Sequence, residues 1–227
     1  MPLLTAGTVA AIGLSYLAGS VSVPYWVARL RGVDLRAVGS RKLGGSNLWK
    51  SVGPAEGTAG GLLDAAKGLA AVLVARSFGL PLEAQLLCGL AAVCAQLWPV
   101  FHGFDGGRAN SAGWGVALAA DPIAFVIMML PVAAAGALRV AVRPRPSRLL
   151  PLAALLSFGV FPAVIWEQQG LTAIALAGLA LLALILIRRL TAGLGADLST
   201  GAPLVRVLVN RALFDRSELQ ERGQVGI

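Results

Sequence analysis

The amino-acid sequence predicts an all-α integral membrane protein with about seven transmembrane helices, one of them short. Hydrophobic residues make up 57% of the 227 residues and charged residues only 13%, whereas about a quarter of an ordinary soluble domain is charged. The mean hydropathy is +0.77. No segment alternates in polarity as the strands of a membrane β-barrel do, so helices are the structure that satisfies the backbone in lipid.

Seven stretches are apolar enough to form these helices. In chain order they are Pro2 to Ala28, Gly57 to Ala75, Ala84 to Gly107, Ala109 to Ala120, Pro122 to Leu138, Leu149 to Trp166 and Gly170 to Ile187. No Lys or Arg precedes the first stretch, so we expect a retained helix and not a secretory signal peptide. The fourth stretch is too short to cross a bilayer at about 1.5 Å per residue, so it must tilt, extend or stop part way.

The positions of the 19 Lys and Arg residues predict the orientation. Six lie in Arg29 to Lys50, one in His102 to Asn110, four in Arg139 to Arg148 and six from Arg188 onward. Seven alternating helices place these four groups on one side, which the positive-inside rule makes cytoplasmic. We therefore expect a multi-pass protein of the cytoplasmic membrane with its N-terminus outside and its C-terminus inside.

The chain is expected to hold one membrane domain, residues 1–193, with candidate motif loops at residues 33–54 and 102–111. Residues 194–227 are predicted to form a cytoplasmic tail. Apolar residues alternate with arginines in Leu204 to Arg222, which favours a short amphipathic helix on the membrane surface; a partly disordered tail is the alternative. Orientation and anionic lipids account for the net charge of +8, and no nucleic-acid partner is predicted.

The first loop combines glycines, hydroxyl groups, an amide and cations in residues 38–50. Glycines allow backbone N–H groups to form a concave nest for an anion, and the polar side chains add hydrogen bonds and charge. The side chains that can contact such an anion are Ser40, Arg41, Lys42, Ser46, Asn47 and Lys50. A solvated basic turn is the alternative interpretation.

The second loop ends with Gly106, Gly107 and Arg108, directly before the short predicted helix. The free N–H groups of a helix N-terminus attract anions, and an arginine adds a bidentate phosphate contact. Because both loops fall on the same predicted face of the membrane, we expect them to meet in one positively charged cradle.

The second predicted helix carries two ionisable residues, Asp64 and Lys67, three positions apart. That spacing puts them on one face, where they can pair. Ionisable residues at membrane depth are costly, so a functional role is the default hypothesis, and a structural ion pair is the alternative. His102, the sole histidine, is expected to lie in an aromatic belt and not to act as a catalytic base.

These residues together resemble the bacterial glycerol-3-phosphate acyltransferase family that uses acyl phosphate as donor, over about residues 10–193. The stretches that carry the resemblance are Gly19 to Pro24, Val38 to Asn47, Leu63 to Gly68, Pro99 to Gly107 and Ile187 to Gly193. The resemblance implies a seven-helix enzyme of the cytoplasmic membrane that acylates the 1-hydroxyl of glycerol 3-phosphate, giving lysophosphatidic acid and phosphate. It implies no cofactor and no metal.

The resemblance also implies the roles of individual residues. The catalytic residues it implies are Ser40, Asn47 and Lys67. The substrate-binding residues it implies are Ser46, Lys50, Gly106, Gly107, Arg108, Arg188 and Arg189. Asp64 and Gln96 are the supporting residues.

The sequence departs from the family pattern at several of these positions. Ser40-Arg41-Lys42 stands where the family usually has Ser-Gly-Asn, and Arg108-Ala109 stands where it has Lys-Gly. Ala95-Gln96 replaces Gly-His, and the histidine and asparagine expected shortly before Ile187 are Ala183 and Leu186. The alternative is therefore a non-catalytic relative that binds a phosphorylated lipid precursor or regulates a catalytic partner. A transporter is disfavoured, because the second half of the chain does not repeat the first.

Overall fold

The computed structural model of the protein describes residues 5–142 and 149–217. Throughout these ranges the secondary structure is helical, without a strand, which confirms the predicted fold class. The helices are α1 (Ala6–Gly19), α2 (Val23–Leu30), α3 (Gly45–Ser51), α4 (Pro54–Ser77), α5 (Leu82–Leu97), α6 (Asn110–Ala120), α7 (Pro122–Met128), α8 (Leu130–Ala141), α9 (Leu149–Gln169), α10 (Ala173–Thr191), α11 (Leu194–Leu198) and α12 (Leu204–Phe214). One turn of 3-10 helix, Val100–His102, follows α5.

Six helical stretches of the described ranges are long and apolar enough to cross a membrane. They are Ala6–Leu30, Pro54–Ser77, Leu82–His102, Pro122–Ala141, Leu149–Gln169 and Ala173–Thr191. The seventh predicted stretch forms α6, which has 11 residues. At about 1.5 Å per residue α6 is about half as long as the hydrocarbon core is thick, so it stops part way, as one of the predicted possibilities allowed.

The first predicted helix is broken in the middle. Helix α1 ends at Gly19, and α2 begins at Val23 after the cap Ser22, whose hydroxyl accepts a hydrogen bond from the Tyr25 N–H. Pro24 occupies the first turn of α2, where its missing N–H costs nothing. The carbonyl groups at the end of α1 lose their intrahelical partners at such a break and need donors from elsewhere.

The described residues form two compact units, which divide between Asp121 and Pro122. In the first unit α4 packs against α3, α5 and α6, and α1 packs against α5. In the second unit α9 packs against α7, α8 and α10, and α12 lies against α9 and α10.

Helices α4 and α6 approach each other through glycines. A β-carbon on Gly68 would collide with the carbonyl group of Ala112, and one on Gly115 would collide with the carbonyl group of Ala65. Only glycine allows two backbones to come this close. The short α6 is therefore fixed on the long α4 at two points, although it does not span the membrane.

Parts of two predictions lie outside the described residues. They are the basic residues Arg143, Arg145 and Arg148 of the third loop, and residues 218–227 of the tail. Within the described part of the tail, a helix forms at Leu204–Phe214 as predicted. Its location on a membrane surface stays a prediction, as do the orientation of the chain and the division into a membrane domain and a tail.

Candidate active site

The first candidate loop is a folded structure with a small core of its own, which argues against a solvated turn. Leu35, Leu43 and Leu48 are fully buried together with Tyr25 of α2. Burying a leucine side chain stabilises a fold by about 1.5–3 kcal/mol relative to leaving it in water. These side chains therefore hold the polar residues between them in defined positions.

Asn47 organises the backbone of this loop. Its Oδ1 accepts a hydrogen bond from the Ser40 N–H at 2.9 Å. Its Nδ2 donates to the carbonyl oxygens of Leu35, Val38 and Lys42 at 3.1–3.2 Å. The side chain is 2% exposed, and its hydrogen bonds go to the loop itself. Asn47 therefore holds the backbone of Ser40 in position.

Three non-glycine residues of the motif loops, Arg41, Phe104 and Ala109, have left-handed backbone conformations. The φ angles are +57° for Arg41 and +53° for Ala109. A β-carbon makes this conformation about 1–2 kcal/mol less favourable. Arg41 and Ala109 stand at positions where the resembled family has glycine. The chain therefore keeps the left-handed turns although the glycines are replaced.

The two candidate motif loops, residues 33–54 and 102–111, contact each other. A β-carbon on Gly107 would lie 2.8 Å from the carbonyl oxygen of Leu43 and 3.9 Å from the Cα of Gly44. No side chain fits between the two backbones at this point. The expected convergence of residues 38–50 with residues 106–108 is therefore present inside the first unit.

Gly106 and Gly107 of the second loop are hydrogen-bonded to the end of α5. The Gly107 N–H donates to the Gln96 carbonyl oxygen at 3.0 Å, and the Gly106 N–H donates to the Leu97 carbonyl oxygen at 3.3 Å. A β-carbon on Gly106 would collide with the Gln96 carbonyl group. The paired glycines allow the chain to return directly against α5 and then to enter α6.

Asp64, Lys67 and Gln96 form a polar network. The network adjoins the second loop, because the Gln96 carbonyl oxygen accepts the hydrogen bond from the Gly107 N–H. The Lys67 ammonium lies 2.9 Å from Asp64 Oδ1, and Gln96 Nε2 donates to Asp64 Oδ2 at 2.5 Å. Asp64 is 1% exposed, so its carboxylate depends on these partners. The predicted pairing of Asp64 with Lys67 is confirmed, and Gln96 is the supporting third residue.

Lys67 also closes the break between α1 and α2. Its Nζ donates to the carbonyl oxygens of Gly19 at 3.3 Å and Val21 at 2.7 Å. Together with Asp64 these are three acceptors for the three N–H bonds of an ammonium group. Lys67 therefore fixes the break, and a direct contact with a substrate would replace one of these bonds.

The remaining predicted residues of the first unit belong to the two loops whose backbones meet at Leu43 and Gly107. Ser46 and Lys50 are exposed on α3, and Ser40 is half-buried. Arg108 is half-buried immediately before α6. No side chain caps α6, so the N–H groups of its first turn have no intrahelical partner and can bind an anion.

The two predicted arginines of the second unit are buried at the end of α10. Arg189 is 1% exposed and Arg188 6%. Arg189 donates from Nη1 to the Ala212 carbonyl oxygen and from Nη2 to the Pro151 carbonyl oxygen, at 3.1 and 3.0 Å. The guanidinium of Arg189 thus joins parts of its own unit.

One polar residue near the second loop, Asn110, was not among the predicted site residues. Asn110 Oδ1, His102 Nε2 and Gln96 Oε1 are buried and have no hydrogen-bond partner among the described residues. Buried polar atoms without a partner are rare in folded proteins and mark candidates for ligand contact. The signal for Asn110 was an amide directly after Arg108-Ala109, at the start of α6.

A second polar cluster, at the end of α2, also escaped sequence reasoning. The Tyr25 hydroxyl accepts hydrogen bonds from Arg29 and Arg36, both at 3.0 Å, and both arginines pair with Asp34. Hydrogen bonds from Arg36 hold the pKa of Asp34 below its usual range. This cluster braces the start of the first loop.

The chain is similar to known proteins over most of its length. Residues 9–194 match the family model described as glycerol-3-phosphate acyltransferase. The chain is 43% identical over 115 residues to the glycerol-3-phosphate acyltransferase of Desulforudis audaxviator, which covers 50% of this chain and 58% of that protein. It is 32% identical over 208 residues to glycerol-3-phosphate acyltransferase 4 of Dehalococcoides mccartyi, covering 90% of this chain and 87% of the relative.

A solved structure has the same fold. It is the crystal structure of an integral membrane glycerol 3-phosphate acyltransferase in its glycerol 3-phosphate form. The TM-score is 0.73 at 26% sequence identity, and the match covers 89% of this chain and 98% of that one. The match of the Desulforudis relative, by contrast, spans little more than half of that protein's length.

Proposed function

Because this chain belongs to the glycerol-3-phosphate acyltransferase family, we propose that it transfers a fatty acyl group from acyl phosphate to the 1-hydroxyl of glycerol 3-phosphate. The products are lysophosphatidic acid and inorganic phosphate. The proposed site lies where residues 38–50 meet residues 106–108, and it faces the cytoplasm, on the side of the basic loops.

The contact of Gly107 with Leu43 carries this proposal. It brings a hydroxyl- and lysine-bearing loop next to a glycine pair, an arginine and an uncapped helix N-terminus. Backbone N–H groups in such loops and at helix N-termini bind phosphate oxygens. Both proposed substrates carry phosphate groups, which suit these backbone donors and cations.

In the proposed reaction, the 1-hydroxyl oxygen of glycerol 3-phosphate attacks the carbonyl carbon of the acyl phosphate. The bond between this carbon and the phosphate oxygen breaks, and phosphate leaves with the electron pair. The hydroxyl proton passes to a substrate phosphate group. Phosphate is a good leaving group, so positioning and stabilisation of developing negative charge supply most of the acceleration.

The proposed roles follow the positions of the residues. Arg108 and the first turn of α6 hold a phosphate group. Ser40, Ser46 and Lys50 contact the substrates from the first loop. Gly106 and Gly107 let the two backbones approach.

Asn47 and Lys67 are proposed as positioning residues, because their polar atoms are engaged by carbonyl groups, the Ser40 N–H and Asp64. Gln96 supports Lys67 through Asp64. Arg188 and Arg189 are proposed to bind substrate only if the bonds that Arg189 makes to Pro151 and Ala212 are exchanged.

The test is an assay of the full-length protein, purified in detergent and reconstituted in vesicles, with acyl phosphate and labelled glycerol 3-phosphate. We expect lysophosphatidic acid and phosphate in equal amounts. Parallel reactions with an acyl thioester donor distinguish the proposed donor from the common alternative. No product from acyl phosphate, by a protein whose helix content is intact, would contradict the proposed reaction.

A second candidate is a catalytically impaired relative that binds a phosphorylated lipid precursor or regulates a catalytic partner. The observation that favours it is the presence of Ala183 and Leu186 on α10, where the family pattern has histidine and asparagine. Saturable binding of glycerol 3-phosphate or lysophosphatidic acid, without turnover of any acyl donor, would select this function.

A further inference from the structure

The C-terminal segment of the described chain lies outside the family match. The match ends at residue 194, and α11 (Leu194–Leu198) and α12 (Leu204–Phe214) follow it. Helix α12 packs against α9 and α10, two of the membrane-spanning stretches. The family model therefore does not describe the contacts of this segment.

The inward face of α12 carries two polar residues, Asn210 and Arg211, beside the buried Val207. Arg211 is 3% exposed, and its Nε donates to Asp197 Oδ2 at 2.6 Å. Its Nη1 donates to the carbonyl oxygen of Ala192 at 2.6 Å. A buried arginine with this many partners fixes one side of α12 against α11 and the end of α10.

Arg189 connects α12 to the start of α9. Its guanidinium joins the Ala212 carbonyl group of α12 to the Pro151 carbonyl group of α9. Pro151 lies in the first turn of α9, and Arg189 lies in the last turn of α10. Helix α12 is consequently held at the level where these two membrane-spanning helices end.

The outward face of α12 is apolar. Four of its five exposed residues are apolar, Leu204, Val205, Val209 and Leu213, and the fifth is Arg206. Val205 is 73% exposed. A helix on the surface of a soluble protein exposes mainly polar side chains, whereas most of the exposed side chains of α12 are apolar. A contiguous exposed apolar patch marks an interaction surface.

We propose that the outward face of α12, Leu204, Val205, Val209 and Leu213, lies in the interfacial layer of the lipid bilayer. Helix α12 lies where α9 begins and α10 ends, and apolar side chains are exposed on these parts of both helices as well, Leu156 on α9 and Ile187 on α10. The nearby arginines favour an anionic lipid surface, and an apolar face with adjacent basic residues is typical of interfacial helices. The inference is independent of the acyl-transfer reaction.

The test uses the full-length chain with Cys88→Ala and Cys94→Ala, in which Val205→Cys carries a polarity-sensitive fluorophore. The protein is reconstituted in vesicles of phosphatidylcholine and phosphatidylglycerol. Quenching by lipids that are spin-labelled near the headgroup is compared with quenching by aqueous iodide. Ser199→Cys, at an exposed polar position just after α11, is the matched control, and Val209→Cys repeats the measurement on the same face.

We expect the label at position 205 to emit at shorter wavelength and to be quenched several-fold more by the spin-labelled lipid than by iodide. The label at position 199 should show the opposite preference. Equal access of iodide to both labels would overturn the proposal, because the face would then lie in water. Protection of position 205 from both quenchers would also overturn it, because a protein surface, such as a second copy of this chain, would then cover the face.

Discussion

Gly107 lies directly against the carbonyl group of Leu43, so that a β-carbon at position 107 would be 2.8 Å from the carbonyl oxygen. The two residues are far apart in the sequence, and their contact joins the two candidate motif loops. The contact is between backbones, which makes it sensitive to the smallest substitution.

Gly107→Ala is therefore expected to separate the two loops. A displacement of about 1 Å in a catalytic arrangement lowers the rate about 100-fold, and we expect a loss of that order in the acyl-transfer assay. Gly44→Ala is the matched control, because nothing lies within 4 Å of a β-carbon at position 44. Equal loss in both variants would show that the Leu43 contact is not the cause.

Arg108→Ala should weaken the use of glycerol 3-phosphate. A hydrogen bond to a charged group contributes about 1.5–3 kcal/mol, so kcat/KM should fall by about one to two orders of magnitude. Arg108→Lys keeps the charge but loses the fork-shaped donor set, so its kcat/KM should fall less than that of Arg108→Ala. Arg139→Ala, at the end of α8, controls for the change in net charge. Unchanged kinetics of Arg108→Ala would remove Arg108 from the proposed site.

Lys67→Met should destabilise the first unit. Removing one partner of a buried ion pair costs about 3–5 kcal/mol, because the remaining charge is left uncompensated. Here the remaining charge is the carboxylate of Asp64. Thermal unfolding in detergent should show a lower midpoint for the single variant and a substantial recovery for Lys67→Met combined with Asp64→Asn. A double variant as unstable as the single one would contradict this account.

Ala109→Gly should stabilise the protein by about 1–2 kcal/mol, because it removes a β-carbon from a residue with a φ of +53°. The same reasoning applies to Arg41→Gly, where φ is +57°. Ala112→Gly is the control, since it lies inside α6 and should destabilise by about 0.5–1 kcal/mol or more. Chemical denaturation monitored by circular dichroism measures all three. A lower stability of Ala109→Gly would show that the turn is not strained.

Asn47→Asp should disorder the first loop. The substitution replaces an amide donor by a carboxylate oxygen, which would face the carbonyl oxygens of Leu35, Val38 and Lys42. We expect faster backbone hydrogen exchange in residues 38–48 and a strong loss of acyl transfer, with the other helices intact. Ser51→Ala removes only a weak 3.4 Å contact with Asn47 and should have little effect. Normal exchange in Asn47→Asp would contradict the positioning role.

The sequence was sufficient to predict the membrane helices, because charge-free stretches of suitable length have few alternatives in lipid. It did not predict the break between α1 and α2, because Gly19 to Val23 has no charged residue and lies within one charge-free stretch. Only the fold brings the Lys67 ammonium to the carbonyl groups of Gly19 and Val21.

The residue types of the candidate site could be identified from the sequence, but their detailed roles could not. An asparagine in a glycine-rich loop suits a ligand as well as a backbone, and only the contacts of Asn47 show that it serves the backbone. Likewise, arginines at the end of an apolar stretch are typical of a membrane boundary. The burial of Arg189 depends on carbonyl groups 23 and 38 residues away, which no local pattern predicts.

The glycine contacts between α4 and α6 limit how the cradle can be redesigned. Because bare backbone touches at Gly68 and Gly115, there is no intervening side chain to trim, and any larger residue at these positions would force the two helices apart. An engineer who wants room for a bulkier acceptor must therefore reshape the turns on either side of this rigid pair.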